Sequence, residues 1–228
     1  MPARATMKSV WWLIHKDLTR ELRTHHTWPG MLLLGIVLVF LLAMQMDLPF
    51  DEKSRIGGGL LWVAIVFAGT LAMERSVASE QEGGCWQALA LYPIGPGVLF
   101  VAKMAVNLAS LVILELMLVP LFIALTDVSL LARPGYFLLI VTLGNVGFAA
   151  IGTLVSAATA DLRNRGGLVA LLLLPLAMPV VLASAEATSM LLRGDTDWPW
   201  WLWVQMLAVF AVVFTAVAAV VFPVLIEE

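Results

Sequence analysis

The chain has 228 residues, of which 61% are hydrophobic and 13% charged, with a formal net charge of −3 and a mean hydropathy of +0.97. Soluble domains carry roughly 45–50% apolar and about 25% charged residues, so this composition excludes a soluble enzyme and marks an integral membrane protein. Apolar runs consume most of the length and leave no room for a soluble domain, and the single cysteine, Cys85, excludes an intrachain disulfide or a thiolate metal cluster.

In chain order, the first feature is amphipathic. Trp11, Ile14, Leu18 and Leu22 recur at helical spacing, while Lys8, Lys16, Arg20 and Arg23 supply a basic side. The pattern predicts an interfacial helix over 6–24 lying on the cytoplasmic leaflet; the alternative is a frayed extension. No compact apolar core with a small-residue cleavage site precedes it, so no cleavable signal peptide is expected. The histidines, His15, His25 and His26, all precede the first span and cannot be intramembrane ligands, and the adjacent pair His25-His26 is read as solvated rather than metal-binding.

Six segments then approach the roughly 20 apolar residues that a spanning helix needs. They are Trp28 to Met46, Gly57 to Met73, Val98 to Leu125, Tyr136 to Ala160, Gly167 to about Met190, and Trp200 to Ile226. The predicted fold is an all-α membrane protein of six transmembrane helices, one permease domain over 1–228. Six spans put both termini on one side. That side receives Arg4, Lys8, Lys16, Arg20, Arg23, Arg75, Lys103, Arg163 and Arg165; the other receives Lys53, Arg55, Arg133 and Arg193. The basic excess assigns both termini to the cytoplasm.

Between the second and third spans lies ERSVASEQEGGCWQALALYPIGPG, Glu74 to Gly97. Glu74 to Glu82 can prolong the second span, Gly83 and Gly84 can end it, and Cys85 to Leu91 can form a short amphipathic helix stopped by Pro93, Gly95, Pro96 and Gly97. Such a segment, tied to two spans, suits mechanical contact with a soluble motor; the plainer alternative is an ordinary loop. Span four carries Gly144, Gly147, Gly152, Ser156 and Ala160, small residues that let helices approach closely. Span five contains Pro175 and Pro179, which are expected to kink or break it. Its outer part, SAEATS from Ser184 to Ser189, reads as a half-helix turning back at the surface.

Strongly polar groups inside the spans are few: Gln45, Asn107, Glu115, Asn145 and Glu186. An intramembrane carboxylate is costly and points to function, so Glu115 is either a structural group holding a neighbouring helix or part of a proton or substrate path. The run DWPWWLW, Asp197 to Trp203, reads as an interfacial aromatic belt rather than a ligand site. The chain has no phosphate-binding G-x-x-x-x-G-K-[ST], no H-E-x-x-H and no G-x-S-x-G. Six spans, an amphipathic start, a helical first cytoplasmic loop and no energy-coupling site of its own match the permease half of a type-2 ABC exporter.

Particular residues also carry a resemblance. The run from Gly58 to Met104, with Trp62-Val63-Ala64, Glu74-Arg75, the glycine before the amphipathic turn, Pro93 and Lys103, resembles the core of the haem exporter protein B (CcmB) family. Arg165-Gly166-Gly167, followed by a leucine-rich run with Pro175 and Pro179, is similar to that family as well, and so is the basic opening Lys16 to Leu22. The resemblance implies a non-catalytic permease subunit of the bacterial inner membrane, used in cytochrome c maturation and present in two copies. Its partners would be a separate ATPase subunit, which binds ATP and Mg, a haem-handling membrane subunit, a small single-span subunit and, indirectly, a periplasmic haem chaperone.

On that reading Glu74, Arg75, Glu80, Glu82 and the turn containing Trp86, Gln87, Leu89 and Leu91 form the main ATPase contact, with Asp161, Arg163 and Arg165 as a second one. Arg75 and Lys103 would pair with partner carboxylates or lipid phosphates. Haem would be a transported or handled species, and the absence of any histidine within or beyond the spans argues against its tight ligation by this chain. Two other readings stay open: a type-2 ABC permease for a lipid, glycan or drug, and a proton-coupled secondary transporter using Glu115.

Overall fold

A computed structural model of the chain describes residues 11–19, 28–46, 48–82, 95–159 and 167–227, without the side chains of 75–82 and 226–227. Among the described residues the secondary structure is helical throughout. Residues 11–19 form α1. Then come α2 (Trp28–Met44), α3 (Phe50–Glu82), α4 (Pro96–Thr126), a 3-10 turn (Leu130–Ala132), α5 (Pro134–Ala158), α6 (Leu168–Arg193) and α7 (Trp198–Glu227). Five of these are long and apolar enough to cross a bilayer, and α2, with 17 residues, is a shorter apolar helix beside them. The six predicted spans are therefore six helices.

The helix ends follow local chemistry. α3 begins at Phe50 rather than Gly57, because Asp51 and Glu52 sit in its first turn, where carboxylates favour the positive end of the helix. It runs unbroken to Glu82, as the polar extension of span two predicts. Its 33 residues span about 50 Å at ~1.5 Å per residue, well beyond a hydrocarbon core of about 30 Å. α4 starts with Gly95 at its N-cap and Pro96 in the first turn, where the missing N–H is not needed. α6 is bounded at both ends by glycines in the left-handed region, Gly167 at φ 80° and Gly194 at φ 82°.

One prediction is corrected along α6. The helix passes through Pro175 and Pro179 without a break, and Ser184 to Ser189 continue it to Arg193 instead of turning back. Prolines inside membrane helices are tolerated where neighbours and local adjustment satisfy the freed carbonyls. The polar SAEATS stretch avoids lipid by facing protein: Ser184, Thr188 and Ser189 are buried. Thr188 Oγ1–H donates to Ser184 O at 2.7 Å, and Trp62 Nε1–H on α3 donates to Thr188 Oγ1 at 3.0 Å.

α3 and α5 occupy the centre, with 67% and 61% of their most apolar windows buried, against 22% for α7. The small residues of α5 are the seats for its neighbours. Gly144 lies against Trp62 of α3, Gly147 against Val180 of α6 and the Ala211 backbone of α7, and Gly152 against the Met73 thioether of α3. A smaller apolar cluster, Leu99, Phe100, Ala157, Ala218 and Phe222, closes the end of the bundle where α4 begins and α7 ends, and Leu13 of α1 packs on it.

Candidate functional site

The end of the bundle predicted to be cytoplasmic, its inner end, gathers the residues that the sequence singles out. α3 leaves its buried stretch at Ala72 and Met73, and the next side chain, Glu74, reaches across to the start of α6. Its Oε1 accepts the backbone N–H of Gly167 at 2.7 Å. Gly167 is the N-cap of α6, so the carboxylate satisfies one of the orphan donors at a helix N-terminus and meets the favourable end of the helix dipole. The structure thus brings the base of the first inner connection beside the end of the second.

The remaining predicted contact residues are placed less fully. Arg75, Glu80 and Glu82 lie on the inner extension of α3, with side chains outside the described set. Trp86, Gln87, Leu89, Leu91, Asp161, Arg163 and Arg165 lie outside the described residues altogether. Lys103, expected to face partner carboxylates or lipid phosphates, instead donates to Asp17 Oδ2 of α1 at 2.9 Å, with both side chains mostly covered. Within α1 the inward face is Leu13, Ile14, Asp17 and Leu18, while Trp11 and Trp12 are exposed. Asp17 is a residue that sequence reasoning missed; its place one turn after Leu13 and Ile14, on the apolar face, was the available signal.

Of the five polar residues predicted inside the spans, Asn107, Glu115 and Asn145 are buried and join α4 to α5, whereas Gln45 is exposed just after α2 and Glu186 is half-buried on α6. Asn145 Nδ2 donates to Glu115 Oε2 at 2.7 Å, and Asn107 Nδ2 donates to Thr153 Oγ1 at 2.9 Å. Glu115 Oε1 and Asn145 Oδ1 have no hydrogen-bond partner among the described residues. Asn107 and Glu115 are eight residues apart on α4, about 12 Å along the axis, so the two ties are separate stations and not one polar chain.

At the outer end the aromatic run divides. Trp198 and Trp201 are exposed, as an interfacial belt requires, whereas Trp200 is fully buried, donates Nε1–H to Ala187 O at 3.0 Å and packs edge-on against Tyr136. Arg133, at the head of α5, bonds Thr196 Oγ1 and Gly194 O in the α6–α7 connection. Beside it an open recess of about 410 Å³ is lined by Arg133, Pro134, Gly135, Tyr136 and Leu139. Among the described residues no three His, Cys, Asp or Glu side chains converge as a metal site would require.

The "Heme exporter protein B" of Pseudomonas aeruginosa is 27% identical over 205 residues, covering 88% of this chain and 92% of that one. Those of Rhodobacter capsulatus and Paracoccus denitrificans are 30% identical over 160 residues and 32% over 162, each covering 67% of this chain and 72% of the relative. A family model described as "CcmB protein" matches residues 8–227, nearly the whole of the chain from α1 to the end of α7, and on that match the chain belongs to the CcmB protein family.

Proposed function

We propose that the chain is the non-catalytic permease subunit of an ABC transporter serving cytochrome c maturation, and that it turns ATP hydrolysis in a separate ATPase subunit into helix movement. The relatives are named as haem exporters, and the chain has no nucleotide-binding motif of its own. The observation that carries the reading is α3. It is one continuous helix from Phe50 to Glu82, too long to end within the membrane, and Glu74 hydrogen-bonds Gly167 where the helix emerges. A rigid helix that projects from the lipid and is tied to a second span is a lever for a motor bound at the inner surface.

The proposed contact with the ATPase is the segment beyond Glu74: Arg75, Glu80, Glu82 and the Trp86, Gln87, Leu89 and Leu91 turn, with Asp161, Arg163 and Arg165 flanking it. The chain would work in the inner membrane with both termini cytoplasmic, in two copies, beside a haem-handling membrane subunit and a small single-span subunit. ATP and Mg belong to the partner, and haem is handled in the assembly without an axial ligand from this chain's histidines. A proton-coupled transporter using Glu115 fits less well, because the Glu115–Asn145 pair and the Asn107–Thr153 pair lie about two helical turns apart, and the polar side chain between them on α4, Ser110, accepts from Trp28 Nε1–H at 3.2 Å.

The test is recovery of companions with the tagged chain from detergent-solubilised membranes. An ABC ATPase together with haem-handling subunits supports the reading; an ATPase with unrelated companions sinks the haem pathway and keeps the permease. The double substitution Glu80→Lys/Glu82→Lys should lower ATPase recovery while leaving membrane insertion intact, since reversing charges at an interface costs several kcal/mol of complementarity.

A further inference from the structure

We propose that Glu74 is a positioning residue: by accepting the Gly167 N–H it fastens the inner part of α3 to the start of α6, so that the two helices move there as one body. The inference rests on the permease reading above and assigns Glu74 an internal role in place of a contact with the partner. It starts from the carboxylate's reach. Glu74 is the first polar side chain of α3 after the buried Ala72 and Met73, and it spends Oε1 on a backbone donor of its own chain at 2.7 Å. The donor belongs to a residue in the left-handed region, at φ 80°, which heads α6 with no side-chain cap of its own. The cap that α6 lacks locally is supplied from α3.

The rest of the α3–α6 seam makes the tie mechanically meaningful. Toward the outer end Trp62 Nε1–H donates to Thr188 Oγ1, and Gly58 lies so close to α6 that a Cβ there would sit 2.6 Å from the Ser189 backbone nitrogen. α3 and α6 are therefore joined by hydrogen bonds at Trp62 and Glu74 and by close backbone approach at Gly58, on the outer side of Trp62. Against α4 and α5, by contrast, no side-chain hydrogen bond from α3 occurs among the described residues. There α3 lays Trp62 on Gly144 and Met73 on Gly152, while Gly69 receives Leu111 and Phe148. Packed helices without directional bonds move by small shears. A push on the inner extension of α3 consequently carries α6 with it and slides both over α5, and Glu74 is the group that makes the inner end of α6 follow.

Three variants separate this role from a charge contact with the ATPase. Glu74→Gln keeps an acceptor oxygen at the same reach and loses the charge; Glu74→Asp keeps the charge and shortens the reach by one methylene; Glu74→Ala removes both. ATP turnover of the purified permease–ATPase complex and the amount of ATPase recovered are measured for each. In a Cys85→Ser background, nitroxide labels at the exposed positions Phe67 on α3 and Leu171 on α6 report the distance between the two helices.

The tie predicts unchanged ATPase recovery in all three variants, near-normal turnover for Glu74→Gln, and a loss of about two- to thirtyfold for Glu74→Asp and Glu74→Ala, the range expected for breaking one coupling contact. The inter-label distance should stay narrow in Glu74→Gln and broaden in the other two. The opposite ranking, with Glu74→Asp normal and Glu74→Gln losing ATPase recovery, would overturn the proposal in favour of a direct contact, and an unchanged distance in Glu74→Ala would overturn it outright. A wild-type chain that recovers no ATPase would instead defeat the permease reading, and the distance distributions would still decide whether the tie exists.

Discussion

Two seams of α5, toward α4 and toward α3, are built on different principles. Toward α4 it is pinned by polar side chains, Asn145 to Glu115 and Thr153 to Asn107; toward α3 it offers glycines, on which Trp62 and Met73 rest. Inside a bilayer no hydrophobic force separates helix contacts from lipid contacts, so association depends on hydrogen bonds and on close packing. The contrast teaches that this chain uses each for a different purpose. Hydrogen bonds fix the register of α4 on α5, and glycine seats give α3 a tight but undirected surface.

The strongest way to break that contrast is to fill a seat. A Cβ on Gly152 would collide with the Met73 sulfur, and one on Gly144 would meet the Trp62 ring and stand 2.9 Å from Ser184 Oγ. Overpacking of this kind costs about 1–3 kcal/mol or more, and Gly152→Leu adds a whole branched side chain. We expect it to lower the thermal midpoint of the detergent-solubilised protein more than any other single change considered. Met73→Ala in the same chain should recover part of the loss, because it empties the volume that the new side chain needs. If Gly152→Leu were as stable as the native chain, the α3–α5 seam would not be close-packed.

The polar seam is tested by a cycle. Glu115→Leu leaves the Asn145 amide donor buried without an acceptor, a loss of about 1–3 kcal/mol, whereas Glu115→Gln retains an oxygen for it and should cost less. In the double variant Glu115→Leu/Asn145→Leu the orphaned group is gone, so the loss should be smaller than the sum of the single losses. If the chain serves cytochrome c maturation as proposed, that activity should survive Glu115→Gln. Abolished maturation in a folded Glu115→Gln protein would point back to a proton path through the carboxyl group.

How much of this was legible in the sequence depends on whether the deciding partner is near in the chain. Hydropathy alone located all six helices, and the polar extension of α3 followed from the absence of any breaker before Gly83. Hydropathy places the start of α3 at Gly57, too late, because it counts charge against a span, although Asp51 and Glu52 are well suited to a first turn. The SAEATS stretch shows the deeper limit. Its polarity says correctly that it does not face lipid, but the partner that resolves it, Trp62, lies 126 residues earlier. Likewise Glu115 and Asn145 are each recognisable as intramembrane polar groups, whereas their pairing depends on the register of α4 on α5 and is carried by no local pattern. Glu74 is legible as important, but its hydrogen bond to Gly167, 93 residues later, is carried by no local pattern, since a carboxylate on an inner segment reads equally as an outward contact or an inward cap.

The smallest expected effect sharpens the same comparison at the second α4–α5 tie. Thr153 Oγ1 also donates to Ala149 O at 2.7 Å, a bond within its own helix, so it accepts from Asn107 with the hydroxyl already oriented. Thr153→Val removes that acceptor at nearly constant volume and leaves the Asn107 amide to find another. Interhelical hydrogen bonds in membrane proteins are worth about 0.6 kcal/mol on average and up to ~1.7 kcal/mol. A drop within that range, and below the one for Glu115→Leu, is expected in a denaturation series. A larger drop would make the Asn107 station the main lock, and the register of α4 on α5 would then be set at the inner third of the membrane instead of its centre.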